Sequence, residues 1–361
     1  MPLLYKPAWE QTQARYRAWW AHEYFGRCAL AVRAPLAHPP RRLAPPAATT
    51  VNDQWYDLDA ISARVDYRLS QTFFGGEAFP VWHAGYPGYA SLATIMGCPF
   101  SIDMHTGWHD PVLTDAAGFD VRSLVVDPDH PAFRFHRRLL TRAATEAAGK
   151  SIPSIGAFYH GGDLLAALRG TERLLLDCIE FPELVRDAEL YLMERWCAYY
   201  QGCYALLRQA GSDVTCWFEL WAPGKFYAVA NDFSYSISPR MFRELFLPAI
   251  ERQLQFLDYA VYHVDGEGAF AHVPALCELP RLQAIQILPG AGKPSPLHYM
   301  DVLKQVQAAG KNLHLSIAPR EVRPALDQLS ARGLFIDTSC GSEAEARDLL
   351  KHAEEWSVDR R

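Results

Sequence analysis

From residue 213 onward, short apolar runs alternate with amphipathic stretches, and this alternation restricts the fold more than any other feature of the chain. The runs DVTCWFEL (213–220), YAVYHV (259–264), LQAIQIL (282–288), NLHLSI (312–317) and LFIDTS (334–339) each read as a strand. Helical patterns separate them at 239–257, 273–277, 297–309, 320–332 and 342–356; Ser238 as N-cap and Pro239 at the first helical position open the first of these. Near-continuous apolar strands joined by helices predict a parallel sheet buried on both faces. No G-x-G-x-x-G run follows an early strand, so a dinucleotide fold is not supported. The expectation is an α/β chain forming a closed (β/α)8 TIM barrel. It is read as one domain over 1–361, with 1–27 as an N-terminal helical extension.

The first half fits this frame more loosely. An amphipathic helix over 7–25 precedes a buried strand at 28–35, which Pro35 ends. The Pro-rich segment 36–50 holds no regular element, and helix returns at 53–71. The Gly- and aromatic-rich segment 73–90 reads as an ordered functional loop. A helix is expected at 130–149, a strand at 151–158, and helices at about 162–170, 171–180 and 182–210.

Composition excludes several functions. The net charge of −6 argues against a nucleic-acid surface, and the basic pair Arg41–Arg42 is too short to change that. The eight cysteines are scattered and form no C-x-x-C pair, which removes a zinc ribbon or a thioredoxin site and suits a reducing cytoplasm. The N-terminus lacks the apolar core of a signal peptide, and no apolar run approaches the ~20 residues that span a bilayer.

A barrel keeps its chemistry at the C-terminal ends of its strands. That rule selects Glu219, His263, Asp265, Gln286, His314, Asp337 and Cys340. His263 and Asp265 are two apart on a strand, so they leave the same face. Imidazole, carboxylate and thiolate are all zinc ligands, and His263, Asp265 and Cys340 make a three-ligand set with an open position. Against this stands a barrel-lining His263 hydrogen-bonded to Asp265, and a Cys340 that is a small residue before a turn. Glu219, between Trp217 and Trp221, reads as an acid/base or as the partner of an arginine. Asp232 reads as a turn-former or a substrate contact. Trp82, Trp217, Trp221 and Tyr262 are the expected apolar wall, with Asp232 and Gln286 as polar substrate contacts. Glu77 and His83 are lid or packing residues, Asp163 is a helix N-cap, Arg169 suits a helix C-terminus, and Glu267 and His272 fall outside the site.

The segments GDLLAALRGTERLLLDCIEFPELV (162–185), NDFSYSISPRMFRELFLPAI (231–250), YAVYHVDG (259–266), AIQILPGAG (284–292), AAGKNLHLSI (308–317) and TSCGSEAEARDLL (338–350) resemble the uroporphyrinogen decarboxylase superfamily. That superfamily includes tetrapyrrole decarboxylases and corrinoid-linked methyltransferases, and the resemblance implies a (β/α)8 barrel. Its methyltransferase branch carries a His-x-Cys zinc motif and a later Cys-Gly. His263 and Cys340–Gly341 match these positions, while Asp265 stands where the motif has its first cysteine. The decarboxylase branch's arginine signature is missing before residue 50.

The resemblance implies a zinc-dependent methyltransferase-like enzyme acting on a small molecule, with a corrinoid carried by a partner protein. Asp265 and Glu219 are its catalytic candidates. Two alternatives stay open: a metal-free decarboxylase or lyase, and a non-catalytic binding protein of a corrinoid system. Expected partners are a small-molecule substrate, a corrinoid protein and a second copy of the chain; nucleic acid and membrane are not expected.

Overall fold

The computed structural model describes residues 2–41, 43–85, 91–115, 118–158 and 160–360. Arg42 of the basic pair, and residues 86–90 of the expected 73–90 loop, lie outside them.

Among the described residues, eleven strands run in chain order: β1 Ala29–Pro35, β2 Thr72–Gly76, β3 Val81–Trp82, β4 Phe100–Ile102, β5 Gly107–His109, β6 Ile152–Pro153, β7 Phe226–Ala230, β8 Tyr259–Asp265, β9 Ala284–Leu288, β10 Asn312–Ser316 and β11 Leu334–Ser339. Seven form one sheet in the order β2-β1-β11-β10-β9-β8-β7. Every pairing in it is parallel except β1 with β2. Helices Leu247–Phe256, Val273–Cys277, Met300–Ala308, Val322–Gln328 and Glu343–Trp356 separate or follow the later strands. The apolar interiors of β7, β9 and β10 are buried, while the polar residues Arg33, His263 and Asp337 on β1, β8 and β11 are only partly so. The pairings establish a mixed α/β fold with a mostly parallel sheet. Among the described residues no ladder joins β2 to β7, so ring closure is not part of this description. β3 and β6 pair separately and in parallel, and Ser154 bridges Thr215 in the same sense.

The N-terminal helix Trp9–Trp20 closes the end of the sheet where the strands begin. Trp20 packs on Phe226 and Tyr259, the first residues of β7 and β8. Trp19 packs on Phe335 near the start of β11 and donates its indole N–H to the Gly333 carbonyl at 3.0 Å. Buried rings of this kind each remove on the order of 150–250 Å² from water. This end is thereby filled, and the C-terminal strand ends are left for a site.

Two expectations need correction here. Residues 213–220 are not a strand: only Thr215 makes a bridge, and its hydroxyl turns back to the Leu220 carbonyl at 2.5 Å. The segment then passes through Glu219 at φ +51°, a left-handed conformation outside the β region and uncommon for a residue other than glycine. The strand that pairs with β8 is FYAVA, β7, which begins at Phe226, beyond the end of that run. The helix expected over 239–257 is interrupted by a π-turn at Phe242–Phe246. Pro248 follows it at the start of Leu247–Phe256; having no N–H to donate, it favours a local change of hydrogen-bond register. Among the described residues no helix is long and apolar enough to cross a membrane.

Candidate functional site

The C-terminal ends of β7 and β8 supply the chemistry. Their parallel register pairs Ala230 with His263. Asp232, two residues beyond β7, therefore arrives at the level of His263 and Asp265. Gly266 follows at φ +87°, which turns the chain away at once, and a Cβ there would lie 2.7 Å from the Tyr235 ring. The Asp232 carboxylate, the His263 imidazole and the Asp265 carboxylate each offer an atom within 4.8 Å of the others. His263 Nε2 stands 3.9 Å from Asp265 Oδ2, too far for a direct hydrogen bond. The three groups converge without satisfying one another, as a ligand set does.

Asp163 fixes the Asp232 backbone. Its carboxylate accepts the N–H of Asp232 at 3.1 Å and of Phe233 at 2.9 Å. It does not cap its own helix, Gly161–Arg169, as the sequence suggested; it caps the 3-10 turn Asp232–Ser236. Burial, and then the charge of Asp232, push its carboxyl up to about 7. Behind it, burial raises Glu189 well above the carboxylate range, with Asp163 adding to the effect. Neither Glu189 oxygen has a hydrogen-bond partner among the described residues. His160 accepts the Ala230 N–H through Nε2 at 2.7 Å, and burial brings its imidazole down to about 4.

These groups border a cavity of about 760 Å³. His160, Asp163, Asp232 and His263 give it a polar floor, and Trp108, Pro111, Phe158, Trp217 and Phe233 an apolar wall. Trp217 meets the His263 ring edge-on at 5.2 Å. Few convergent polar groups in an apolar concavity of this size describe a small-molecule site.

The other predicted residues lie elsewhere. Cys340 is absent from the ligand group: it follows β11, with β10 and β9 standing between that strand and β8, and its N–H is tied to the Arg33 carbonyl at 2.8 Å. Burial pushes its thiol up to about 11, away from a thiolate. It borders a second cavity of about 540 Å³ with Arg33, Arg68, Glu219 and Ser339. There Glu219 accepts from Arg33 at 2.7 Å, and the same guanidinium holds Asp337 at 2.8 and 3.0 Å. Glu219 is thus in contact with an arginine, as one of its two readings has it. Of the four expected wall aromatics only Trp217 lines the first cavity. Trp82 is buried beside His83 and His136, and Trp221 is wedged against Trp9 with its indole N–H on Asp213 at 3.1 Å. Tyr262 is buried within the electrostatic reach of Asp163 and Asp232.

Glu77 is fully buried and holds Arg27 at 2.7 and 2.8 Å and the Leu30 N–H at 2.6 Å, so it packs rather than gates. Arg169 is locked internally by Asp177 at 2.6 Å. Glu267 pairs with Lys293 and Tyr299, and His272 with the Ser234 carbonyl, both outside the site. The sequence names Asp232 as a turn-former or substrate contact and Asp163 as an N-cap; His160, which also lines the cavity, carries no local signal. Reading FYAVA as a strand would have put Asp232 at a strand end.

No protein-family model matches the chain, and no curated protein matches it in sequence. The homocysteine methyltransferase MmuM from Escherichia coli aligns with 61% of this chain and 85% of its own at 17% identity, but its TM-score of 0.27 carries no argument. A methyltransferase from Methanosarcina mazei aligns over 95% of this chain and 98% of its own, with a TM-score of 0.62 and 11% identity; at that identity the likeness is one of fold.

Proposed function

We propose that the chain is a metal-dependent, methyltransferase-like enzyme of the uroporphyrinogen decarboxylase type, built on a (β/α)8-type barrel and acting on a small molecule in the first cavity. The observation that carries this reading is the convergence of Asp232, His263 and Asp265 on one point beside that cavity. The fold shared with the Methanosarcina mazei methyltransferase supports it. The donor set of one nitrogen and two carboxylates fits a divalent ion. Zinc takes such ligands, and so does manganese, whereas the thiolate-rich set implied by the family motif is not assembled. A bound ion would hold and activate a thiol or other methyl acceptor, or polarise a substrate oxygen. Asp232 and Asp265 would hold charge at the ligand point, Trp217 would orient the imidazole and cover it, and Asp163 would hold or move a proton at its carboxyl. A corrinoid protein remains the proposed methyl source. Metal analysis of the wild type and His263→Ala, both purified without added metal, tests the reading. A stoichiometric ion in the wild type alone supports it; a metal-free wild type with unchanged turnover overturns it.

One observation favours a second reading, a metal-free lyase. Burial pushes the Asp163 carboxyl up to about 7 and raises that of Asp232 as well, so two carboxyl groups held toward the protonated form share one cavity floor. Turnover that survives a chelator would select it.

A further inference from the structure

His263, Gln286 and His314 are direct register partners on β8, β9 and β10. They form one polar rung across three strands. His263 Nδ1 is hydrogen-bonded to Gln286 Oε1, and Gln286 Nε2 stands 3.2 Å from His314 Nδ1. His314 is buried with its ring stacked on Phe335 at 5.2 Å and tilted against Phe218 at 4.8 Å. We infer that His314 is a positioning residue: acting through Gln286, it fixes His263 as the Nδ1–H tautomer and presents the Nε2 lone pair to Asp232 and Asp265.

The polarity follows from donor and acceptor counting. A neutral imidazole has one N–H and one lone pair. Burial brings His314 down to about 4, so it is neutral near pH 7. The Gln286 amide turns its NH2 to His314 Nδ1, so Nδ1 is the acceptor and the His314 N–H sits on Nε2, which has no partner among the described residues. That orients the amide, whose oxygen then faces His263 Nδ1 and requires a proton there. The remaining nitrogen of His263, Nε2, points at carboxylate oxygen 3.9 Å away. A lone pair facing carboxylates is repulsive unless a cation lies between them, so the rung prepares the group for one. Reversing the amide would put an N–H at Nε2 and block it as a ligand. Such outer hydrogen bonds commonly set the tautomer of a ligating histidine. This inference rests on the proposed metal reading for its purpose, but not for its test.

The test is nitrogen NMR of 15N-histidine-labelled, chelator-treated protein, about two units above the ordinary imidazole value of 6.5. The wild type is expected to show His263 protonated at Nδ1 and bare at Nε2. An Nε2–H tautomer in the wild type overturns the inference. His314→Phe frees the amide to turn and is expected to give mixed tautomers. His314→Gln keeps an acceptor for the amide and is expected to restore the wild-type signature. Unchanged tautomer purity in His314→Phe overturns the role of His314; should that variant not fold, loss of the signature in Gln286→Leu with retention in His314→Gln decides the same point. Metal affinity is expected to fall roughly 10–100-fold in His314→Phe. A wild type that holds the tautomer and binds no metal fails the metal reading alone.

Discussion

Gly162→Ala and Gly202→Ala are the same substitution in two helices, and the structure gives them opposite signs. Gly162 lies in the first turn of Gly161–Arg169, against the residue that precedes Asp232. A Cβ there would lie 2.5 Å from Asn231 Oδ1 and 3.1 Å from the Phe246 ring. Real Cβ atoms do not approach so closely, and Asn231 is only 2% exposed, so it has little room to withdraw. Overpacking of this kind costs about 1–3 kcal/mol. The helix propensity gained is at most about 1 kcal/mol and less in a first turn. Net destabilisation of about 1–2 kcal/mol is expected, with weaker metal binding because Asn231 moves Asp232. Gly202 lies within Pro182–Gln209 with nothing within 4 Å of its would-be Cβ. Alanine there is expected to stabilise by about 0.5–1 kcal/mol. Urea unfolding of both variants beside the wild type is the assay. A Gly162→Ala protein as stable as the wild type, or a destabilised Gly202→Ala protein, would refute the packing argument.

Glu77→Ala leaves Arg27 buried without its carboxylate and is expected to cost about 3–5 kcal/mol in urea unfolding; a loss under 1 kcal/mol would contradict the buried pair. Asp163 keeps, up to about pH 7, a proton that the unfolded chain has released by about pH 4. Folding stability through this group therefore falls as pH rises from about 4 to 7, and Asp163→Asn is expected to flatten that stretch. An unchanged slope between pH 5 and 7 would refute it. Glu219→Gln breaks one arm of a partly exposed ion pair and is expected to cost no more than about 1 kcal/mol, with metal content unchanged; loss of metal would return Glu219 to the site.

The later strands were legible because each is a continuous apolar run, and a strand buried on both faces has no other way to be written. YAVYHVD shows this best: its strand, its same-face His263 and Asp265, and the turn at Gly266 all follow from spacing. DVTCWFEL misled because it has the same composition without the backbone. Its Thr215 bridge and left-handed Glu219 depend on contacts with Ser154 and Arg33 that are distant in sequence. That error placed Glu219 at a strand end and left Asp232, named as a turn-former or substrate contact, away from one. Cys340 matched a family position in sequence, but strand order, which no local pattern states, keeps it three strands from His263.

Metal stoichiometry in Asp232→Asn beside Cys340→Ser decides which side chains are the ligands. About one divalent ion per chain is expected in the wild type and in Cys340→Ser, and loss of that ion in Asp232→Asn. An ion retained in Asp232→Asn and lost in Cys340→Ser would contradict it.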